Sequence, residues 1–230
     1  MHGGVGPEMT WAAQEPLAES WKLLLAYRRG FPPSPATERQ DWEVDAGDLE
    51  ELLARERAHA VGFSYGGLGL TVAAGRRPDR VRSLTLIEVP LFELADAEDP
   101  DTRRLLDLAG AYTGESPGAH AEARAAFEAL AGMGGNLTAG QREELARARE
   151  LARGLRPPAE AHPDYDAIAR AGVPVLVVSG GHDPGLERLC DAIAARLGGR
   201  RECLPGAGHA AQRTPAFNQV LEDFMGRSTE

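Results

Sequence analysis

Gly62-Phe63-Ser64-Tyr65-Gly66 places a serine between two glycines, with an apolar stretch before it and an apolar helical stretch from Gly66 to Ala74 behind it. A serine on so sharp a strand-to-helix turn projects its hydroxyl above the end of a sheet. The glycines permit the tight turn and the close approach of neighbouring backbone. A hydroxyl is a weak nucleophile until a base takes its proton, and the base needs a carboxylate to fix its tautomer. Two downstream residues answer to that need. Asp183 follows the apolar run 173–179 through Gly180-Gly181-His182, and His209 follows the run ending at Leu204 through Pro205-Gly206-Ala207-Gly208. Both then lie past the carboxyl ends of strands, on the sheet edge where open α/β sheets bind ligands. Glu88 is the rival acid, because it also ends a strand, and Asp183 is preferred for its loop position. With 27 glycines in the chain the five-residue motif alone is weak, and its context carries the weight.

The remaining histidines have other expected uses. His59 helps to start the strand that leads into the serine, His120 and His162 fall in a helical stretch, and His182 has a turn or rim role beside Asp183.

The elements that must hold these residues alternate in type. Runs rich in Val, Ile and Leu predict strands at 21–27, 59–63, 83–89, 173–179 and 201–204. Between them, apolar residues three or four apart predict helices over 45–56, 186–197 and 217–225. That alternation is the signature of a parallel α/β sheet. From 92 to 163 it breaks. This stretch of roughly 70 residues is acidic and Ala-rich, with helical patterns over 119–130 and 138–155, and is much longer than an ordinary crossover. The expected organisation is a core of 1–91 and 164–230 with 92–163 inserted as a helical cap.

Composition bounds the partners. The 230 residues carry 25 Lys and Arg against 35 Asp and Glu, a net charge of −10. A basic footprint for nucleic acid or anionic membrane is therefore missing. No apolar run approaches the roughly 20 residues that cross a bilayer, and the first residues lack the basic and apolar regions of a secretory signal. The expected setting is cytoplasmic, with no nucleic-acid or membrane partner and with room for a homo-oligomer. Cys190 and Cys203 build no disulfide framework, no Cys/His cluster has zinc-ligand spacing, and no cofactor is expected. Lys22 is the only lysine among abundant Arg, Ala, Gly and Pro, a bias of GC-rich bacterial genomes.

Over nearly its whole length the chain resembles the α/β-hydrolase superfamily, in particular its small capped esterases, C–C hydrolases and haloperoxidase-like members. His2-Gly3-Gly4 resembles the H-G-x oxyanion loop, with Trp11 where the next helix often carries an aromatic. Arg29-Gly30-Phe31-Pro32-Pro33-Ser34 is similar to the R-G-x-G-x-S turn, with Pro32 in place of the second glycine. The serine, Asp183 and His209 loops match the elbow, acid and base loops. The resemblance implies Ser64 as nucleophile, Asp183 as orienter and His209 as general base, with the Gly4 and Tyr65 N–H groups as oxyanion hole. Phe92, Tyr112, Phe127 and Met133, with Leu91, would line an apolar pocket under the cap. The implied activity is hydrolysis of a small ester or related acyl substrate through an acyl-enzyme. C–C bond hydrolysis and haloperoxidase-like perhydrolysis use the same triad, and a non-catalytic or truncated hydrolase-like protein is the reading of a different class. Serine at the elbow argues against epoxide hydrolases and haloalkane dehalogenases, which use aspartate there.

One departure stands out. In the family three strands precede the oxyanion loop, and the third lies between the counterparts of 21–27 and 59–63. Here the sequence opens on the loop itself. Unpaired buried backbone groups cost about 1–3 kcal/mol each. The expectation is therefore an N-terminally shortened version of a longer enzyme, in which Gly4 is poorly anchored. The alternatives are that the flanking strands pair directly or that another chain supplies the missing one.

Overall fold

The Val, Ile and Leu runs become four parallel strands in a computed structural model that describes residues 1–113, 125–126, 129 and 138–227. They are β1 (Ala58–Phe63), β2 (Val81–Ile87), β3 (Val175–Ser179) and β4 (Arg200–Cys203), paired in the order β1-β2-β3-β4. The register sets Phe63 opposite Ile87, Ile87 opposite Val178, and Ser179 opposite Cys203, so the carboxyl ends are level. Every residue of β3 is buried, as a strand covered on both faces must be.

Successive side chains of β2 and β3 go to opposite faces, and the core divides accordingly. Leu84, Leu86, Val175 and Val177 join the cluster under α2 (Trp42–Arg55), α3 (Gly66–Arg76), α6 (Tyr165–Arg170) and α7 (Pro184–Leu197). Ile87, Leu176 and Val178 join Trp11 of α1 (Pro7–Trp11) and Phe217, Leu221 and Phe224 of α8 (Pro215–Arg227). Between β2 and β3 the chain forms α4 (Pro100–Thr113) and α5 (Ala139–Leu151). Helix α4 docks closely on α7, where a Cβ on Gly185 would come 2.6 Å from the Asp101 carbonyl. The helix expected over 119–130 falls almost wholly outside the described residues.

The strand expected at 21–27 does not form. The segment has no ladder partner among the described residues, and Leu23, Leu24 and Leu25 are 39%, 69% and 44% exposed. Apolar composition alone does not make a strand, because extended backbone needs a neighbour to pair with. The segment is held by its side chains instead: Trp21 Nε1 donates to Glu222 at 3.3 Å, Lys22 pairs with Glu56 at 2.6 Å, and the Tyr27 hydroxyl donates to Glu8. On β1, Met1 takes ladder positions: its amino group donates to the Val61 carbonyl, and its carbonyl accepts from Phe63 N at 3.1 Å.

The loop 2–5 is held firmly, contrary to the expectation of poor anchorage. Arg28, only 2% exposed, donates from Nη1 to the Gly3 carbonyl at 2.9 Å and to Gln40 Oε1 at 2.7 Å. Its Nε donates to Asp45 Oδ2 at 2.8 Å, and its backbone N–H donates to His2 Nε2 at 3.0 Å. His2 Nδ1 in turn lies 2.7 Å from the Val5 carbonyl. Arg29, the first residue of the 29–34 turn, lies outside, bridged to Asp48 at 2.8 Å. Replacing a whole buried ion pair by apolar groups is often neutral, but removing one partner strands the other charge. Arg28→Met is therefore expected to cost about 3–5 kcal/mol in urea unfolding. A loss below about 1 kcal/mol would contradict this anchoring role.

Candidate active site

Two adjacent strands end in the same unusual way. Ser64, after β1, has φ 51°, and Glu88, after β2, has φ 44°; they are the only non-glycine residues with positive φ among the described residues. Such a backbone costs of order 1–3 kcal/mol and lasts only where its surroundings impose it. Here they do: Ser64 N donates to the Ile87 carbonyl at 2.9 Å, and Glu88 N donates to the Val178 carbonyl at 3.1 Å. Both side chains are thereby swung over the carboxyl edge of the sheet. The turn after Ser64 admits only glycine, since a Cβ on Gly66 would lie 1.8 Å from the His2 carbonyl oxygen. Loop 2–5 thus packs directly on the serine turn.

His209 bridges the two side chains. Its Nε2 is 3.0 Å from Ser64 Oγ and its Nδ1 is 2.6 Å from Glu88 Oε2. The carboxylate of Glu88 is fully buried. Burial alone would raise its pKa, but His182, His209 and the Gly180 N–H, which donates at 2.8 Å, outweigh it and hold the group below its ordinary value. Glu88 is thus charged and aimed at the imidazole, the arrangement that sets a histidine's tautomer.

The expected pairing of Asp183 with His209 is not formed. Asp183 is instead the N-cap of α7: Oδ1 accepts from Leu186 N at 3.0 Å, and its other oxygen takes a hydrogen bond from Arg104 of α4. Pro184 at the first helical position completes a familiar helix start. The helix backbone and Arg104 together spend both oxygens of this carboxylate. Beside it, His182 Nδ1 stands 3.4 Å from Glu88 Oε1, so it supports the acid from behind rather than sitting at a rim. Of the other histidines, His59 Nδ1 meets Ser83 Oγ at 2.8 Å and His162 pairs with Glu93; His120 lies outside the described residues.

Ser64 and His209 open into a cavity of about 330 Å³ lined by Gly4, Tyr65, Phe92, Tyr112 and other residues. Phe92 and Tyr112 were expected there. Leu91 was too, but it is fully buried in the core. Phe127 and Met133 lie outside the described residues. Among the described residues neither the Gly4 nor the Tyr65 N–H is spent on a backbone carbonyl. Sequence reading missed Gln40, Arg149 and Arg213 on the wall. Only Arg213 carries a signal, its place four residues beyond His209.

Among the described residues, one His/acid group is compact enough to hold a cation: Glu88, His182 and His209, with ligand atoms within 4.8 Å of one another. Both ring nitrogens of His209 are already engaged, so a cation there would have to break the contact with Ser64 or with Glu88. No helix among the described residues is long and apolar enough to cross a membrane.

The sequence profile of the Alpha/beta hydrolase family matches residues 1–217. Among solved structures, the chain is similar to a thermophilic esterase from Thermogutta terrifontis, with TM-score 0.68 and 21% identity over 100% of this chain and 89% of that one. It is also similar to a hydrolase from Pseudomonas aeruginosa PA01, with TM-score 0.67 and 22% identity over 98% and 88%. An esterase from Rhodococcus sp. ECU1013 gives 0.67 and 19% over the same shares. At such identities these likenesses speak for the fold. No curated protein matches the chain.

If Asp183 serves the helix rather than the histidine, Asp183→Ala is expected to cost about 1–2 kcal/mol of stability as a lost cap. The measurement is a denaturant midpoint at constant slope, and an unchanged midpoint would contradict the assignment.

Proposed function

The chain belongs to the Alpha/beta hydrolase family and is a hydrolase of that kind, and from that premise we propose that it cleaves a small ester through Ser64, His209 and Glu88. The observation that carries the reading is the unbroken hydrogen-bonded line from Ser64 Oγ through both nitrogens of His209 to buried Glu88. In this reading His209 Nε2 takes the Ser64 proton as Oγ attacks the carbonyl carbon. Glu88 holds the Nδ1 proton in place and stabilises the imidazolium that forms. The carbonyl oxygen, now negative, receives the N–H groups of Gly4 and Tyr65. His209 then protonates the leaving alcohol, and water, deprotonated by the same nitrogen, frees the acyl-enzyme and restores Ser64. Neither nitrogen has to move far at any step.

Residues 92–163 act in this proposal as a cap. They supply Phe92, Tyr112, Leu145 and Leu155 to the cavity wall above Ser64, and an apolar roof excludes water and strengthens the electrostatics beneath it. C–C bond hydrolysis and perhydrolysis would employ the same three residues. The apolar wall and the family's esterase-like neighbours favour the ester.

The test is hydrolysis of p-nitrophenyl acetate and butyrate. Ser64→Ala is expected to abolish turnover. Glu88→Gln, which keeps the shape and loses the charge, should lower kcat by about 10³–10⁴-fold. Asp183→Asn should stay within about tenfold of the parent enzyme. The opposite ranking of the two acid variants would return the orienting role to Asp183.

A further inference from the structure

We propose that the substrate's acyl part ends in a carboxylate, with Arg213 at the mouth of the cavity as its counter-charge. This inference rests on the ester-hydrolase reading of the same cavity and narrows its substrate class. The protein as a whole carries a net charge of −10, yet among the described residues no aspartate or glutamate lines the cavity. Among the described residues the charged ones on its wall are Arg149, from α5, and Arg213, from the 3-10 turn that follows the His209 loop. A guanidinium without an ion-pair partner, on a wall to which no described residue brings a carboxylate, sets up a local field opposite to the overall charge.

Arg213 is fixed in place but not neutralised. Its Nη2 donates to the Met9 carbonyl at 2.8 Å, which ties it to α1 beside the cavity, and it forms no ion pair among the described residues. Glu144 is the carboxylate that bears on it electrostatically. That carboxylate is committed to the Gly6 N–H at 2.6 Å, and burial raises its pKa. The remaining guanidinium donors are free to meet an anion, for which a planar carboxylate is the matching partner.

Gln40 supplies an independent sign that the wall is waiting for an acceptor. It lines the cavity and is 3% exposed. Its Oε1 accepts from Arg28 at 2.7 Å, which fixes the orientation of the amide. Its Nε2 donates to nothing among the described residues. That amide N–H is left for an acceptor inside the cavity, and an oxygen of the substrate can fill the role. Two donors on this wall, the Gln40 amide and the Arg213 guanidinium beyond it, are thus placed to meet an acceptor that a simple alkyl ester lacks.

Two esters of equal acyl length separate the cases: the mono-p-nitrophenyl ester of glutaric acid and p-nitrophenyl pentanoate. The wild-type kcat/KM for the hemiglutarate is expected to exceed that for the pentanoate by about tenfold or more. In Arg213→Met the ratio should fall towards one, and Arg213→Lys should restore part of it. A wild-type preference for the pentanoate, or a ratio unchanged in Arg213→Met, overturns the proposal. Calorimetric binding of glutarate to Ser64→Ala provides a readout that needs no turnover. Binding weakened about tenfold by adding Arg213→Met supports the anion site, and no binding overturns it. If neither ester is cleaved while glutarate binds, the hydrolase reading fails and the anion site stands.

Discussion

Two neighbouring parallel strands each end in a residue forced into the left-handed backbone region, and the site is built on that constraint. In a regular strand Ser64 and Glu88 would follow the pleat, one side chain above the sheet and the next below. With φ at 51° and 44° they instead leave the ladder together and turn over its carboxyl edge. Because β1 and β2 are in register with Phe63 opposite Ile87, the two residues stand side by side. One imidazole then reaches both. The strain is carried by the ladder below, where Ser64 N and Glu88 N donate to the carbonyls of Ile87 and Val178 on the next strands.

That geometry would serve no reaction if the loop facing Ser64 were loose. Arg28 prevents this from inside the protein. It is anchored by Asp45 of α2, whose carboxyl burial holds above its ordinary pKa although Arg28 draws it part of the way back. From that position it holds the Gly3 carbonyl and the Gln40 side chain together, joining the loop that packs on the Ser64 turn to the wall of the cavity. A buried ion pair contributes little net stability, so its value here lies in position. The same guanidinium that steadies the loop also decides which way the Gln40 amide faces.

How far this was legible in the sequence depends on what each residue answers to. Ser64 and His209 were readable because glycine-rich loops after apolar runs leave few alternatives. β2 and β3 were readable because buried parallel strands need apolar runs, whereas β4, Arg200–Cys203, is an edge strand with exposed ends and carries no such run. The acid was harder. Asp183 sits in the loop where an orienter is expected, but Asp-Pro at the start of a helical pattern is equally the signature of a cap, and the cap prevails. Glu88 carried the contrary signal: the one charged residue in the run 83–89, where a carboxylate survives only with partners. The run 21–27 misled because composition says nothing of whether a neighbouring strand is there to pair. Arg28, Gln40 and Arg213 take their roles from contacts across the fold, which no local pattern encodes.

The account turns on which carboxylate holds His209, and the proton between them can be observed directly. Proton NMR of the resting protein should show a far-downfield resonance from the His209 Nδ1–H, hydrogen-bonded to a buried charged carboxylate. The prediction is that this resonance persists in Asp183→Asn and vanishes in Glu88→Gln, with both variants folded. Its survival in Glu88→Gln and loss in Asp183→Asn would contradict the account.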